Sequence, residues 1–148
     1  MSHFYNLSFT VWVIFVKKNA METLNIPEGY QRIMPYLIVK NAQAFFEFSE
    51  KVFGATEKYK AMRDENLIMH AEISIGDSVV MFADATEQYP QRNAGMFIYV
   101  DDCDAVYKKA IENGAESLTE PADQGYGRSA GIMDPFGNTW WLTSVPGN

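Results

Sequence analysis

The sequence predicts an α+β fold: two tandem βαβββ modules forming a curved mixed sheet around a cleft, with the helices on the convex face. Three observations predict it. The chain resembles itself at a nearly constant spacing, with Tyr36-Leu-Ile-Val39 matching Phe97-Ile-Tyr-Val100 and Ile75-Gly-Asp-Ser78 matching Phe136-Gly-Asn-Thr139, each pair 61 positions apart. In both halves a short β-rich run leads into a segment with helical periodicity and then into three further apolar runs. The length of 148 residues, with 47% hydrophobic and 21% charged residues, suits a single globular core without covalent staples.

The elements follow in order. Residues 1–29 read as an N-terminal extension and lead-in. Phe9 to Val16 (FTVWVIFV) is too short to cross a bilayer as a helix, which takes roughly 20 residues. No basic stretch precedes it, and no convincing small-residue cleavage site follows. It reads either as a translated segment ahead of a start at Met21 or as an added strand, covered by the sheet or by a partner. Residues 30–148 form the domain, with module one at about 30–90 and module two at about 91–148. In module one Asn41 is placed to cap a helix whose stripe is Phe45, Phe48 and Val52, and Gly54 ends it. In module two Asp102 caps, Val106, Ala110 and Ile111 supply the stripe, and Gly114 ends it. Gly54 and Gly114 are 60 apart, so one residue has slipped inside the helix.

Strand alternation assigns the faces. Leu37, Val39, Ala71, Ile73 and Ile75 point to the helices, leaving Met34, Tyr36, Ile38, His70, Glu72 and Ser74 on the other side. The repeat adds Val80, Phe82 and Asp84 to that second face, with Gly95, Phe97, Tyr99, Gly131, Met133, Trp141 and Thr143 from module two. Trp140 is assigned to the core. A face mixing aromatics, Met, a His and a carboxylate reads as the lining of a concave, mostly apolar pocket.

Composition narrows the partners. With 12 Lys+Arg against 19 Asp+Glu the net charge is −7, which argues against nucleic acid. A lone Cys103 excludes an intrachain disulfide and suits a reducing, cytoplasmic setting. The expected partner is a small molecule, with no nucleic acid and no membrane.

Five segments together resemble one known family: Pro35-Tyr36-Leu-Ile-Val, Phe46-Glu-Phe48 with Phe53-Gly-Ala55, His70-Ala-Glu72-Ile-Ser-Ile-Gly-Asp77, Val100-Asp-Asp102, and Asp134-Pro-Phe-Gly-Asn-Thr-Trp140. This is the vicinal-oxygen-chelate superfamily of glyoxalases, bleomycin-resistance proteins and extradiol dioxygenases. The chain is most similar to the branch labelled 3-demethylubiquinone methyltransferase-like, over about Ile33 to Val145. The resemblance implies metal-ligand positions on the first and last strands of each half, occupied by His, Glu or Gln in metal-dependent members. Here those positions fall on Met34, Val80, Gly95 and Trp141, which hold no ligand for a hard or borderline divalent ion. No metal and no cofactor are therefore expected, and a methyltransferase activity is disfavoured by the lack of a glycine-rich nucleotide-binding unit. The resemblance also implies a homodimer whose clefts are built from modules of both chains.

The candidate binding residues are Met34, Tyr36, His70, Glu72, Phe82, Tyr99, Arg128 and Trp141. His70 and Glu72, two apart on one strand, admit three readings: a satisfied polar wall, an acid–base pair, or the start of a relocated metal site with Asp84. Arg128 reads equally as an anion-binding group or as a salt bridge to Asp134 or Asp123. Trp141, Tyr36 and Tyr99 suit stacking on a flat or cationic compound. Two functions follow as expectations. One is a metal-independent binding protein that sequesters a planar or cationic compound. The other is an enzyme of the same superfamily, lyase or dioxygenase-like, that uses His70 and Glu72 or a relocated metal.

Overall fold

The structure is a computed structural model, and it describes residues 24–147. The Phe9–Val16 run, expected as an extension or an added strand, lies outside the described residues. Ten elements follow one another as β1 (Tyr36–Val39), α1 (Ala42–Phe53), β2 (Thr56–Met62), β3 (Ile68–Ile75), β4 (Ser78–Asp84), β5 (Gly95–Tyr99), α2 (Cys103–Glu112), β6 (Glu116–Gln124), β7 (Gly127–Met133) and β8 (Thr139–Ser144). They form two βαβββ modules, each with a four-stranded mixed sheet, ordered β1-β4-β3-β2 and β5-β8-β7-β6. In each sheet the first strand pairs parallel with the last, and the remaining pairs are antiparallel. No helix among the described residues is long and apolar enough to cross a membrane.

Both helices form where the caps and stripes place them. The Asn41 side chain accepts the Ala44 amide, although Asn41 itself takes a left-handed conformation. Phe45, Phe48 and Val52 are buried, and Gly54 closes α1 in the left-handed region that glycine occupies at least cost. Asp102 caps α2 through the Ala105 amide. Ala110 is buried there, whereas Ile111, assigned to the apolar stripe, is exposed.

The core is shared between the modules. Phe45 meets Phe82 of its own sheet edge-on at 4.9 Å between ring centroids and Phe136 of module two at 5.7 Å. Phe53 lies 4.4 Å from the Trp140 ring. Trp140 is buried, as its assignment to the core requires. Aromatic contacts of this kind add to plain area burial and fix the angle between the layers they join.

One strand departs from the expected faces. In β4 the register pairs Val80 with Ile73 and Phe82 with Ala71, both on the helix side, so Val80, Phe82 and Asp84 face the helices. Met81 and Ala83 take the other side, opposite Tyr36 and Ile38. The reason is turn length. β3 and β4 are joined by the two residues Gly76-Asp77, with Gly76 at a φ of 59° that suits a tight hairpin. β7 and β8 are joined by residues 134–138. The two Gly-polar dipeptides are similar in sequence but sit at different points of unlike turns. Tyr36 pairs with Met81 and Phe97 pairs with Trp141, so the structural spacing on the last strand is 60, from 81 to 141. A slip of one residue exchanges the two faces of a strand.

Candidate functional site

The side of module one's sheet that faces away from the helices carries Tyr36 from β1, Tyr59 from β2, His70 and Glu72 from β3, and Met81 from β4. At their centre is a hydrogen-bonded chain. The Tyr36 hydroxyl lies 2.9 Å from His70 Nδ1, His70 Nε2 lies 2.9 Å from Glu72 Oε1, and the Tyr30 hydroxyl donates to Glu72 Oε2 at 2.5 Å. Tyr30 arrives from the lead-in segment before β1, and its ring carries the Lys58 ammonium 4.5 Å above its centre.

The protons in this chain can be placed by elimination. Burial pushes the Glu72 carboxyl up, but the hydrogen bonds from Tyr30 and His70 and the nearby positive charge outweigh it and hold the group below its ordinary range. Glu72 is therefore an ionised acceptor, and His70 must donate to it through Nε2–H. In the neutral imidazole Nδ1 is then bare and accepts the Tyr36 hydroxyl. Tyr36 remains a neutral phenol, raised by burial, with Arg63 pulling the other way. Tyr30 is raised as well, chiefly by its hydrogen bond to Glu72.

Beside this chain lies a cavity of about 490 Å³, lined entirely from module one by residues that include Tyr36, Ile38, Arg63, Met69 and Tyr89. Its shape depends on a bulge. The β2–β3 register shifts between Ala61 and Met62, so that Ile68 enters the core while Met69 is exposed and lines the cavity.

The expected site residues do not all converge. Tyr36, His70 and Glu72 come together as described, and Met34 is half-buried two residues before β1. Phe82, expected in the pocket, is 1% exposed and packed against Phe45, because β4 presents its opposite face. Asp84, considered as a third ligand beside His70 and Glu72, also faces the helices, where its carboxylate accepts the amides of Ala42 and Ile68 at 2.8 and 2.7 Å. Arg128 is bound to Asp104 of α2 through two of its nitrogens and to Asp123 at 3.1 Å, which matches the salt-bridge reading but with Asp104 in place of Asp134. Asp134 instead anchors the β7–β8 turn, accepting from the amides of Phe136 and Asn138, from the Asn138 side chain and from the Trp140 indole.

Module two presents a second aromatic surface. Trp141 and Phe97 are register partners, Phe97 and Tyr99 meet edge-on at 5.1 Å, and all three rings are exposed. Gly131 makes room for the indole, since a Cβ at that position would lie 2.5 Å from Trp141 Cζ3. Sequence reasoning missed Tyr30, Tyr59, Arg63 and Met81. For Met81 the signal was the unequal length of the two turns; Tyr30 and Arg63 belong to irregular segments where no periodicity assigns a face.

The register also revises the position implied for a metal ligand on β4, from Val80 to Met81. The resulting set of Met34, Met81, Gly95 and Trp141 offers two thioethers, no imidazole and no carboxylate, so it does not fit a hard or borderline divalent ion. Among the described residues no group of three or more His, Cys, Asp or Glu side chains is placed to hold one.

Comparison with known proteins agrees with this architecture. An uncharacterized protein of Mycobacterium bovis is 30% identical over 122 residues, covering 74% of this chain and 80% of that protein. Among solved structures, a protein from Bacillus cereus described as a putative 3-demethylubiquinone-9 3-methyltransferase, PhnB protein, superposes with a TM-score of 0.64 at 18% identity, covering 78% of this chain and all of that one. TnmS3, an antibiotic binding protein from Streptomyces sp. CB03234, superposes with a TM-score of 0.61 at 18% identity, over 79% of this chain and all of that one. These two likenesses concern the fold. The family model for the glyoxalase/bleomycin resistance protein/dioxygenase superfamily matches residues 29–142. The paired βαβββ modules, the duplicated sequence and that match lead to one conclusion: the chain belongs to the glyoxalase/bleomycin resistance protein/dioxygenase superfamily.

Proposed function

We propose that this protein binds a planar small molecule without metal assistance and sequesters it unaltered. The observation that carries this reading is the closed hydrogen-bond chain Tyr30–Glu72–His70–Tyr36 beside a cavity walled by Tyr36, Met69 and Tyr89. The ionisable side chains of that chain are already partnered within the protein, and the adjoining walls are aromatic or thioether surfaces suited to stacking. The antibiotic-binding description of TnmS3, which shares the fold, supports the same reading.

The exposed rings extend the proposal to a homodimer. Tyr36, Tyr59, Phe97, Tyr99 and Trp141 are each at least 41% exposed, and apolar surface of this extent marks a face that binds something. Module one of one protomer covering module two of its partner would enclose both aromatic surfaces in a shared cleft. The buried free thiol of Cys103 suits a reducing, cytoplasmic compartment.

A second reading has an observation of its own. A hydroxyl on an imidazole that is oriented by a carboxylate is an arrangement that can move a proton, so Tyr36, His70 and Glu72 can serve as an acid–base unit. One experiment separates the readings. Purified protein is screened by thermal shift against planar antibiotics, and each compound that stabilises it is incubated with excess protein and recovered for mass spectrometry. Sequestration predicts saturable stabilisation and a recovered compound of unchanged mass. A product that disappears in His70→Ala protein would overturn it in favour of catalysis.

A further inference from the structure

We infer that the cavity beside Tyr36 is selective for an aromatic acid, a flat ligand whose carboxylate or other anionic group lies against the Arg63 guanidinium. The inference rests on the planar-ligand reading above and goes beyond it by assigning the ligand's charge and its orientation.

Arg63 is the cation among the residues that line the cavity. Among the described residues its side chain makes no hydrogen bond or ion pair, unlike Arg128, which holds two aspartates. Three carboxylates adjoin it, Asp64 in the chain, Asp84 in the lining of the same cavity and Glu87 in that of a neighbouring hollow, and two of them are committed elsewhere. Asp64, its chain neighbour, accepts the amides of Asn66 and Leu67, both at 2.8 Å, and is held below the ordinary range mainly by those bonds. Asp84 is 5% exposed and accepts the amides of Ala42 and Ile68. The third, Glu87, lines a separate hollow on the other flank of Arg63 and is exposed. The guanidinium therefore keeps its planar fork of donors available at the cavity, a geometry that matches a carboxylate in two parallel hydrogen bonds.

The remaining walls define the rest of the ligand. Tyr36, Tyr89 and Met69 give flat or polarisable surface, and Gln88 adds an amide near the rim. Glu72 already accepts hydrogen bonds from Tyr30 and His70, one on each carboxylate oxygen, which leaves it little call on a cation. The chain's net charge of −7 suggests a cationic ligand, but that charge is distributed over the whole surface, whereas the carboxylate that shares this cavity, Asp84, spends both oxygens on backbone amides and leaves the Arg63 fork free. Local charge at contact distance outweighs a screened global field.

The test uses three probes of one shape: 2-naphthoate, 2-naphthamide and 2-naphthylmethylammonium. Binding to the full-length protein is followed by isothermal titration at low and moderate salt. The expected order is naphthoate tightest, with the amide and the ammonium weaker by about tenfold or more. Arg63→Gln should remove that preference while leaving amide binding unchanged, Arg63→Lys should restore part of it, and Glu87→Gln should leave naphthoate binding equal or stronger. Added salt should weaken naphthoate binding and spare the amide. Equal affinity for naphthoate and amide, or an unchanged naphthoate affinity in Arg63→Gln, overturns the charge assignment while the planar-ligand reading stands. If none of the three probes binds, and no planar antibiotic binds in the thermal-shift screen, both readings fail together.

Discussion

The indole Nε1–H of Trp140 donates to Asp134 Oδ2 at 2.9 Å, joining the first turn of the β7–β8 connection to the core of module two. The same buried carboxyl group also accepts two backbone amides and the Asn138 side chain, so one side chain organises a five-residue turn. Removing it would strand several buried donors at once. Asp134→Ala is expected to cost about 3 kcal/mol, because leaving buried donors without their acceptor costs more than the net worth of a single hydrogen bond. Urea denaturation monitored by circular dichroism checks this, and Asp134→Asn should lie between the two proteins.

Phe45 is fully buried and touches rings from both modules, Phe82 on one side and Phe136 on the other. Phe45→Ala should destabilise the fold by about 3–5 kcal/mol, the range for opening a large aromatic cavity in a core. Because the ring bridges the modules, denaturation of the variant should also lose cooperativity, seen as separated transitions by near- and far-UV circular dichroism.

Glu72 makes the stability depend on acid. Burial raises its carboxyl, but the Tyr30 and His70 hydrogen bonds prevail and its folded-state value lies below the ordinary value near 4.5. A depressed carboxyl contributes stability that is fully present above the unfolded value and is lost as the pH falls through the folded one. The wild type should therefore lose melting temperature below about pH 4.5, the ordinary carboxylate value. Glu72→Gln should show a shallower loss over the same interval, measured as melting temperature from pH 3 to pH 7.

Gly131 supports the ring of Trp141, and an added Cβ would lie 2.5 Å from Cζ3 and 2.9 Å from Cε3. The indole is 41% exposed and has room to tilt away, so Gly131→Ala should displace it without unfolding the sheet. A cost of about 1–3 kcal/mol is expected for such overpacking. Intrinsic fluorescence should become more accessible to acrylamide, and pairing the change with Trp141→Ala should recover part of the lost stability, the 2.9 Å approach to the Thr119 hydroxyl remaining.

Most of the architecture was readable from spacing and alternation, and its failures have a physical cause. α1 is legible because its cap, stripe and terminal glycine agree with one another. In β3 the alternation around Ala71 and Ile73 assigns His70 and Glu72 to the open face, where they lie. β4 reads Ser-Val-Val-Met-Phe-Ala-Asp, apolar at every interior position and buried on both faces, so alternation carried no information about its parity. Its face was inherited from the repeat, and the repeat is out by one at the turn. Arg63 and Tyr30 lie in segments with no period, and their positions follow from tertiary packing alone.

The hydrogen-bond chain from Tyr30 to Tyr36 has a direction. Because Glu72 takes the Nε2 proton, the phenolic hydrogen of Tyr36 is turned inward to Nδ1, and its oxygen offers only lone pairs to whatever approaches from the cavity. The wall next to Arg63 is thus an acceptor, so of these two neighbouring side chains the guanidinium supplies the donors and the phenol the lone pairs.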